Sequence, residues 1–154
     1  MRYFNVFGPR QDPNGEYSAV IPRFITAMLA DQRPTVYGDG GQSRDFTFVE
    51  NIVKANLLAA DAPRANGRSI NIAAGNKISL LELLSELNQL LGTSISPIHE
   101  PARIGDVRES MADITVARDL LGYEPTIGFA DGLRRSIDYY LGVINAKCAM
   151  AVGV

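Results

Sequence analysis

Residues 2–29 read RYFNVFGPRQDPNGEYSAVIPRFITAML, and the succession of patterns in this stretch decides the fold class. Residues 2–7 form a short aromatic and β-branched run that stops at Gly8 and Pro9, as a strand does when it runs into a loop. Residues 10–16 carry turn chemistry, with Asn14 and Gly15 as the strongest turn pair. From Val20 the apolar side chains Val20, Ile21, Phe24, Ile25, Met28 and Leu29 fall at helical spacing, and Pro22 is tolerable in a first turn. Strand, loop and amphipathic helix in that order predict an α/β protein.

The rest of the chain continues the alternation. Thr35, Val36 and Tyr37 predict a brief strand before Gly38, Asp39, Gly40 and Gly41, a flexible loop that could bring backbone close to a ligand. Apolar spacing from Val49 predicts a helix to about Ala60, then breakers at 63–67 and a strand at 69–73. Ser79 with Glu82 is a capping-box signature, and the leucine stripe from Leu80 to Leu91 ends at Gly92. A polar arm is expected over 94–110, a short helix over about 114–121 closed by Gly122, and a last helix over about 129–146. The tail at 147–154 has no assignment. Three strands of about five residues make a fragment of a sheet, so the expected fold is an incomplete α/β sheet with about five helices.

Bulk properties narrow the function. With 154 residues, 46% hydrophobic and 21% charged at a net charge of -2, the chain has the composition of one folded domain. General affinity for nucleic acid or an anionic membrane is not expected. Arginines outnumber lysines twelve to three, and the planar guanidinium suits bidentate recognition of phosphate or carboxylate. One cysteine, Cys148, and one histidine, His99, make neither an internal disulfide nor a zinc site. With no apolar run of about 18 residues and no signal-peptide pattern, a cytoplasmic setting is expected.

The segments RYFNVFGPRQDPNG, VIPRF, VYGDGGQSRDFTFV, NIAAG and RIGDVRESMAD, in that order, resemble the extended short-chain dehydrogenase/reductases that act on nucleotide sugars. Within them the likeness is to the NAD-dependent epimerase/dehydratase family, and especially to UDP-sugar 4-epimerases. It covers nearly all of residues 2–141. The resemblance implies a Rossmann-type fold of which this chain is the carboxy-terminal, nucleotide-sugar-binding part, with 2–7 and 69–73 as strands of its sheet. It implies that Asn5, Arg44 and Arg103 meet the substrate diphosphate, Asp106 the ribose hydroxyls, and Tyr37 with the backbone at Thr35 the uracil. Ser110 would face the C2 substituent of an N-acetylhexosamine, and Tyr3 and Phe4 would lie near the nicotinamide. Each has a plainer reading: an Asx turn for Asn5, solvated arginines, a core Tyr37, ordinary loop residues for Asp106 and Ser110. Asp45 could orient Arg44 or cap the next helix.

Two features of the resembled enzymes do not occur in the sequence. The glycine-rich turn between a strand and a helix that binds a dinucleotide pyrophosphate is absent, and no tyrosine is followed four residues on by a lysine. NAD is therefore expected only in a longer parent, itself expected to be a homodimer through the other half, and this chain alone is expected to turn over no substrate. A UDP-glucuronate decarboxylase, a nucleotide-sugar 4,6-dehydratase or a non-catalytic nucleotide-sugar-binding module are the other readings.

Overall fold

The computed structural model describes residues 1–15 and 20–152; Glu16 of the turn stretch and the last two residues lie outside the described residues. The elements run β1 (Arg2–Tyr3), β2 (Val6–Phe7), α1 (Val20–Leu29), β3 (Thr35–Tyr37), β4 (Ser43–Arg44), β5 (Thr47–Phe48) and α2 (Val49–Ala60). After a 3-10 turn at Pro63–Ala65 come β6 (Asn71–Ile72), β7 (Ile78–Ser79), α3 (Leu80–Leu91), β8 (Ile98–Glu100), β9 (Glu109–Ser110), α4 (Thr115–Leu121) and α5 (Phe129–Val152). The fold is α/β, with five α-helices and short strands. β1 pairs in parallel with β6, β2 with β5, and β3 with β8, while β4 lies between antiparallel β7 and parallel β9.

The single strand expected over 2–7 is two strands. Asn5 breaks it with φ at 33°, a left-handed conformation that asparagine tolerates better than most residues. The break is fastened on both sides: Asn5 Nδ2 donates to the Asp45 carbonyl at 3.2 Å, and the Thr47 amide donates to the Asn5 carbonyl at 3.3 Å. β1 therefore faces one partner and β2 another. Two hydrophobic clusters flank the break, with Val6 packed against the smaller and Phe7 buried in the larger. Phe7 joins Phe24, Phe46, Phe48, Leu83 and Leu133 in the larger, whereas Ile52, Ile70, Ile72, Ala117 and Tyr123 form the smaller, with Phe4 packed against it.

The expected polar arm holds two strands. The arm over 94–110 begins by pairing β8 to β3, with Val36 opposite His99, and ends by pairing β9 to β4, with Arg44 opposite Ser110. All three residues of β8 are exposed, so the apolar/polar alternation that marks a half-buried strand is missing from the sequence. The last helix continues past 146 to Val152, into the stretch expected to be an unassigned tail; Ala, Lys and Met there are good helix formers and no proline stops it.

α3 forms where its caps dictate. The Ser79 amide donates to Glu82 Oε2 at 2.7 Å, the Glu82 amide donates to Ser79 Oγ at 3.2 Å, and Gly92 closes the helix in the left-handed region at φ 66°. Replacing Ser79 by alanine is expected to lower stability by about 1 kcal/mol. Urea denaturation checks it; an unchanged midpoint would mean that packing of the leucine face alone holds the helix start.

Candidate functional site

A cavity of about 650 Å³ opens between α1, the carboxyl end of β3, β4 and the arm that follows β8. Asn5, Thr35, Tyr37, Arg44, Arg103 and Asp106, drawn from four separate stretches of sequence, all line it. The arm delivers two of them through a tight turn: Gly105 takes φ 85°, the Asp106 amide donates to the Arg103 carbonyl at 3.2 Å, and both side chains face the cavity. Arg103 lays its guanidinium over the Tyr37 ring, 3.8 Å from the centroid, a cation–π contact that leaves donor edges available. Hydrogen bonding and charge from Arg103 lower the Tyr37 phenol below its ordinary value.

Arg44 is the least exposed of these cations and is already engaged. Its Nη1 donates to the Ser43 carbonyl at 2.8 Å and its Nη2 forms an ion pair with Asp106. In this state the cation and carboxylate at the site satisfy one another. Chemically the set can hold an anion by bidentate arginine contacts and accept hydrogen bonds from hydroxyls through Asp106.

Three of the candidate residues do not line the cavity. Tyr3 is exposed on β1 and donates its hydroxyl to Asn56 Oδ1 at 2.9 Å; Phe4 packs on the smaller cluster. The turn at Asn5 divides them from the cavity-facing β2. Ser110 is bound to Arg44 through the backbone of β9, with its side chain outside the lining.

Asp45 neither orients Arg44 nor caps α2, whose start at Phe48 has no side-chain cap. Its fully buried carboxylate instead accepts from three backbone amides: Ala74 at 2.9 Å, Gly75 at 3.1 Å and Ala112 at 3.2 Å. Burial pushes its pKa up, against the pull of those three hydrogen bonds. The residue thus ties the end of β6 to the chain after β9, directly behind Arg44.

Other lining residues went unremarked in the sequence. Gln42 is buried and donates to the Tyr37 carbonyl at 2.7 Å, fixing the turn beneath the cavity. Arg33 spends its guanidinium on the Ser96 and Pro97 carbonyls, at 3.0 and 2.6 Å. Arg23 also lines the cavity, an exposed residue on α1 flanked by buried Ile21, Pro22, Phe24 and Ile25; a lone arginine in that run was the available signal. Outside the cavity, Asp39 receives both terminal nitrogens of Arg108, at 2.6 and 2.9 Å.

Residues 1–73 match the NAD dependent epimerase/dehydratase family. A solved UDP-glucose 4-epimerase with UDP-glucose from Thermotoga maritima superposes with a TM-score of 0.88 at 36% identity, over 93% of this chain and 45% of that one. The chain belongs to the NAD-dependent epimerase/dehydratase family. Another solved family member, the UDP-N-acetylglucosamine 4-epimerase from Methanobrevibacter ruminantium in complex with UDP-N-acetylmuramic acid, gives a TM-score of 0.84 at 39% identity, covering 92% of this chain and 45% of that one. A curated UDP-glucose 4-epimerase from Mycolicibacterium smegmatis is 36% identical over 136 residues, 88% of this chain and 43% of that protein. The family fold is Rossmann-type, and this chain spans less than half the length of the relatives it matches. Among the described residues no helix is long and apolar enough to cross a membrane.

Proposed function

We propose that this chain forms the nucleotide-sugar-binding wall of an NAD-dependent UDP-sugar 4-epimerase, with UDP-N-acetylhexosamine as the substrate. The observation that carries the reading is the convergence of Arg44, Arg103, Asp106 and Tyr37 on one cavity, a set of cations, hydroxyl acceptor and aromatic face that matches diphosphate, ribose and base. Arg44 and Arg103 hold the diphosphate, Asp106 turns from Arg44 to the ribose hydroxyls, and Tyr37 with the Thr35 backbone covers the uracil. Asn5 donates beside the diphosphate, while Ser110, on β9 opposite Arg44 of β4 with its side chain outside the present lining, is assigned to the acetamido end of the sugar by its place in the RIGDVRESMAD motif alone. Tyr3 and Phe4 belong to this proposal only as neighbours of a nicotinamide.

NAD itself belongs to a longer protein in this reading. Two helix starts near the sheet offer nothing to its pyrophosphate: α2 enters directly from Phe48 with no glycine, and the first turn of α3 is occupied by its own Glu82. When bound in the parent, the cofactor supplies hydride acceptance and return at C4; these residues bind and orient the sugar nucleotide. Relatives with other reactions, such as a UDP-N-acetyl-alpha-D-glucosaminuronate decarboxylase from Bacillus cytotoxicus at 33% identity, make a decarboxylase the second reading.

Calorimetric titration with UDP tests the binding role. Arg44→Ala is expected to weaken UDP by about 1.5 kcal/mol, roughly tenfold, at the low end for a charged hydrogen bond, while uridine binding changes little. A folded wild-type chain that takes no UDP would overturn the reading. Titrating UDP-N-acetylglucosamine against UDP-glucose in wild type and Ser110→Tyr reads whether Ser110 selects for the acetamido group.

A further inference from the structure

We propose that Asp39 and Arg108 are positioning residues, a latch that sets the arm over the cavity independently of the groups that touch ligand. The inference rests on the nucleotide-binding reading and deepens it. Every residue from 101 to 109 is exposed, so the arm has no buried face to hold it. Its ends are pinned by β8 on β3 and β9 on β4. Between those ends the side chains that join it to the body are Arg103 on Tyr37, Asp106 on Arg44, and Arg108 on Asp39. In the proposed function a diphosphate and a ribose compete for the first two. The third remains when the site is filled.

The geometry of that third link is built from both sides. The Asp39 carboxylate is fixed first by its own loop, where the Gly41 amide donates to Oδ1 at 2.9 Å. It then receives Arg108 Nη1 at 2.6 Å and Nη2 at 2.9 Å, the paired fork that makes an ion pair directional. Gly41 leaves the space for this: a Cβ there would stand 2.8 Å from Arg108 Nη2. The Arg108 carbonyl also accepts from the Ser43 amide at 2.9 Å, one residue before Arg44. Arg108 thus connects the glycine loop, the arm and the strand that carries Arg44. With Arg108 beside it the Asp39 carboxyl is held at about 2, so the latch stays ionised throughout neutral and mildly acidic solution.

Exposed pairs are weak, and only a directional one such as this contributes measurably. The expected effect is correspondingly small and specific. Asp39→Asn and Arg108→Gln are each expected to weaken UDP by about three- to fivefold, and the double variant to be no weaker than either, since both remove one link. The melting temperature should stay close to that of wild type, while amide exchange over 101–109 speeds up in the ligand-free chain. Effects that multiply in the double variant, or single variants that keep wild-type affinity and exchange, sink the latch. If wild type takes no UDP, the nucleotide reading falls, and the exchange measurement still decides the latch: unchanged arm protection in Asp39→Asn overturns it.

Discussion

Replacing Asp45 by alanine is expected to destabilise the fold by about 4 kcal/mol, the largest single effect we anticipate. The carboxylate is fully buried and satisfies the backbone amides of Ala74, Gly75 and Ala112. Each buried donor left without a partner costs about 1 to 3 kcal/mol, and the cavity left by the carboxyl admits water to only some of them. The pH dependence has a definite sign. Burial raises the folded-state pKa of Asp45 above its unfolded value, so between those two values the unfolded chain loses its proton first. The contribution of Asp45 is therefore complete below the ordinary carboxylate range and declines as pH rises through the raised value. Urea titrations of wild type and Asp45→Ala across pH 4 to 8 should give a stability difference that shrinks toward higher pH. Comparing the two proteins cancels the opposite trend of carboxyls held low by partners, such as Asp39 and Glu109. A difference that is flat, or that grows with pH, would mean that Asp45 is not held in the dry environment described.

Gly132→Ala is expected to lower stability by about 2 to 3 kcal/mol, against the gain of up to about 1 kcal/mol that alanine brings to a helix interior. A Cβ at Gly132 would stand 2.8 Å from Phe48 Cδ2 and 2.9 Å from Phe7 Cζ. Neither ring can yield: Phe7 is held edge-on by Phe46, Phe48 and Phe129, with centroids 6.4, 5.6 and 5.8 Å away. Overpacking of a rigid aromatic cluster therefore outweighs propensity. Gly142, ten residues further along the same helix with nothing within 4 Å of its would-be Cβ, is the internal control, since Gly142→Ala should stabilise or leave the protein unchanged. Thermal melts of both variants check the pair. Equal, favourable shifts at the two sites would mean that α5 does not press against the Phe7–Phe48 ring pair.

The helices were legible because each is amphipathic and punctuated. The leucine stripe from Leu80 with Ser79, Glu82 and Gly92 specified α3 to the residue, and Gly122 marked the end of α4. The strands were less so. A pair of residues such as Ser43–Arg44 or Glu109–Ser110 is too short to show alternation, and it becomes a strand only because a distant partner hydrogen-bonds to it. The break at Asn5 was hidden for a related reason, since its left-handed turn is fixed by Asp45 and Thr47, forty residues away in the chain. At the cavity, residue type and motif brought out Arg44, Arg103 and Asp106, yet nothing local indicated that Arg44 and Asp106 would pair, or that Asp45 would turn inward to three amides. Arg33 sits outside the quoted motifs and Arg23 lies within VIPRF without any role marked for it, and only the fold brings both to the same wall.

The links that carry the arm to the cavity have a consequence for the order in which this protein comes into being. Arg44 and Asp106 are 62 residues apart, Asp39 and Arg108 are 69 apart, and each joins segments that share no helix or turn. Contacts of that separation must close a long loop before they return any energy, so they form late relative to local helices. On a ribosome, α1, β3 and β4 emerge well before residue 108, and for that interval Arg44 lacks both Asp106 and the arm that brings Arg103 to the cavity. Under the proposed function, nucleotide recognition thus waits for the arm, arising only once synthesis has passed the turn at Gly105.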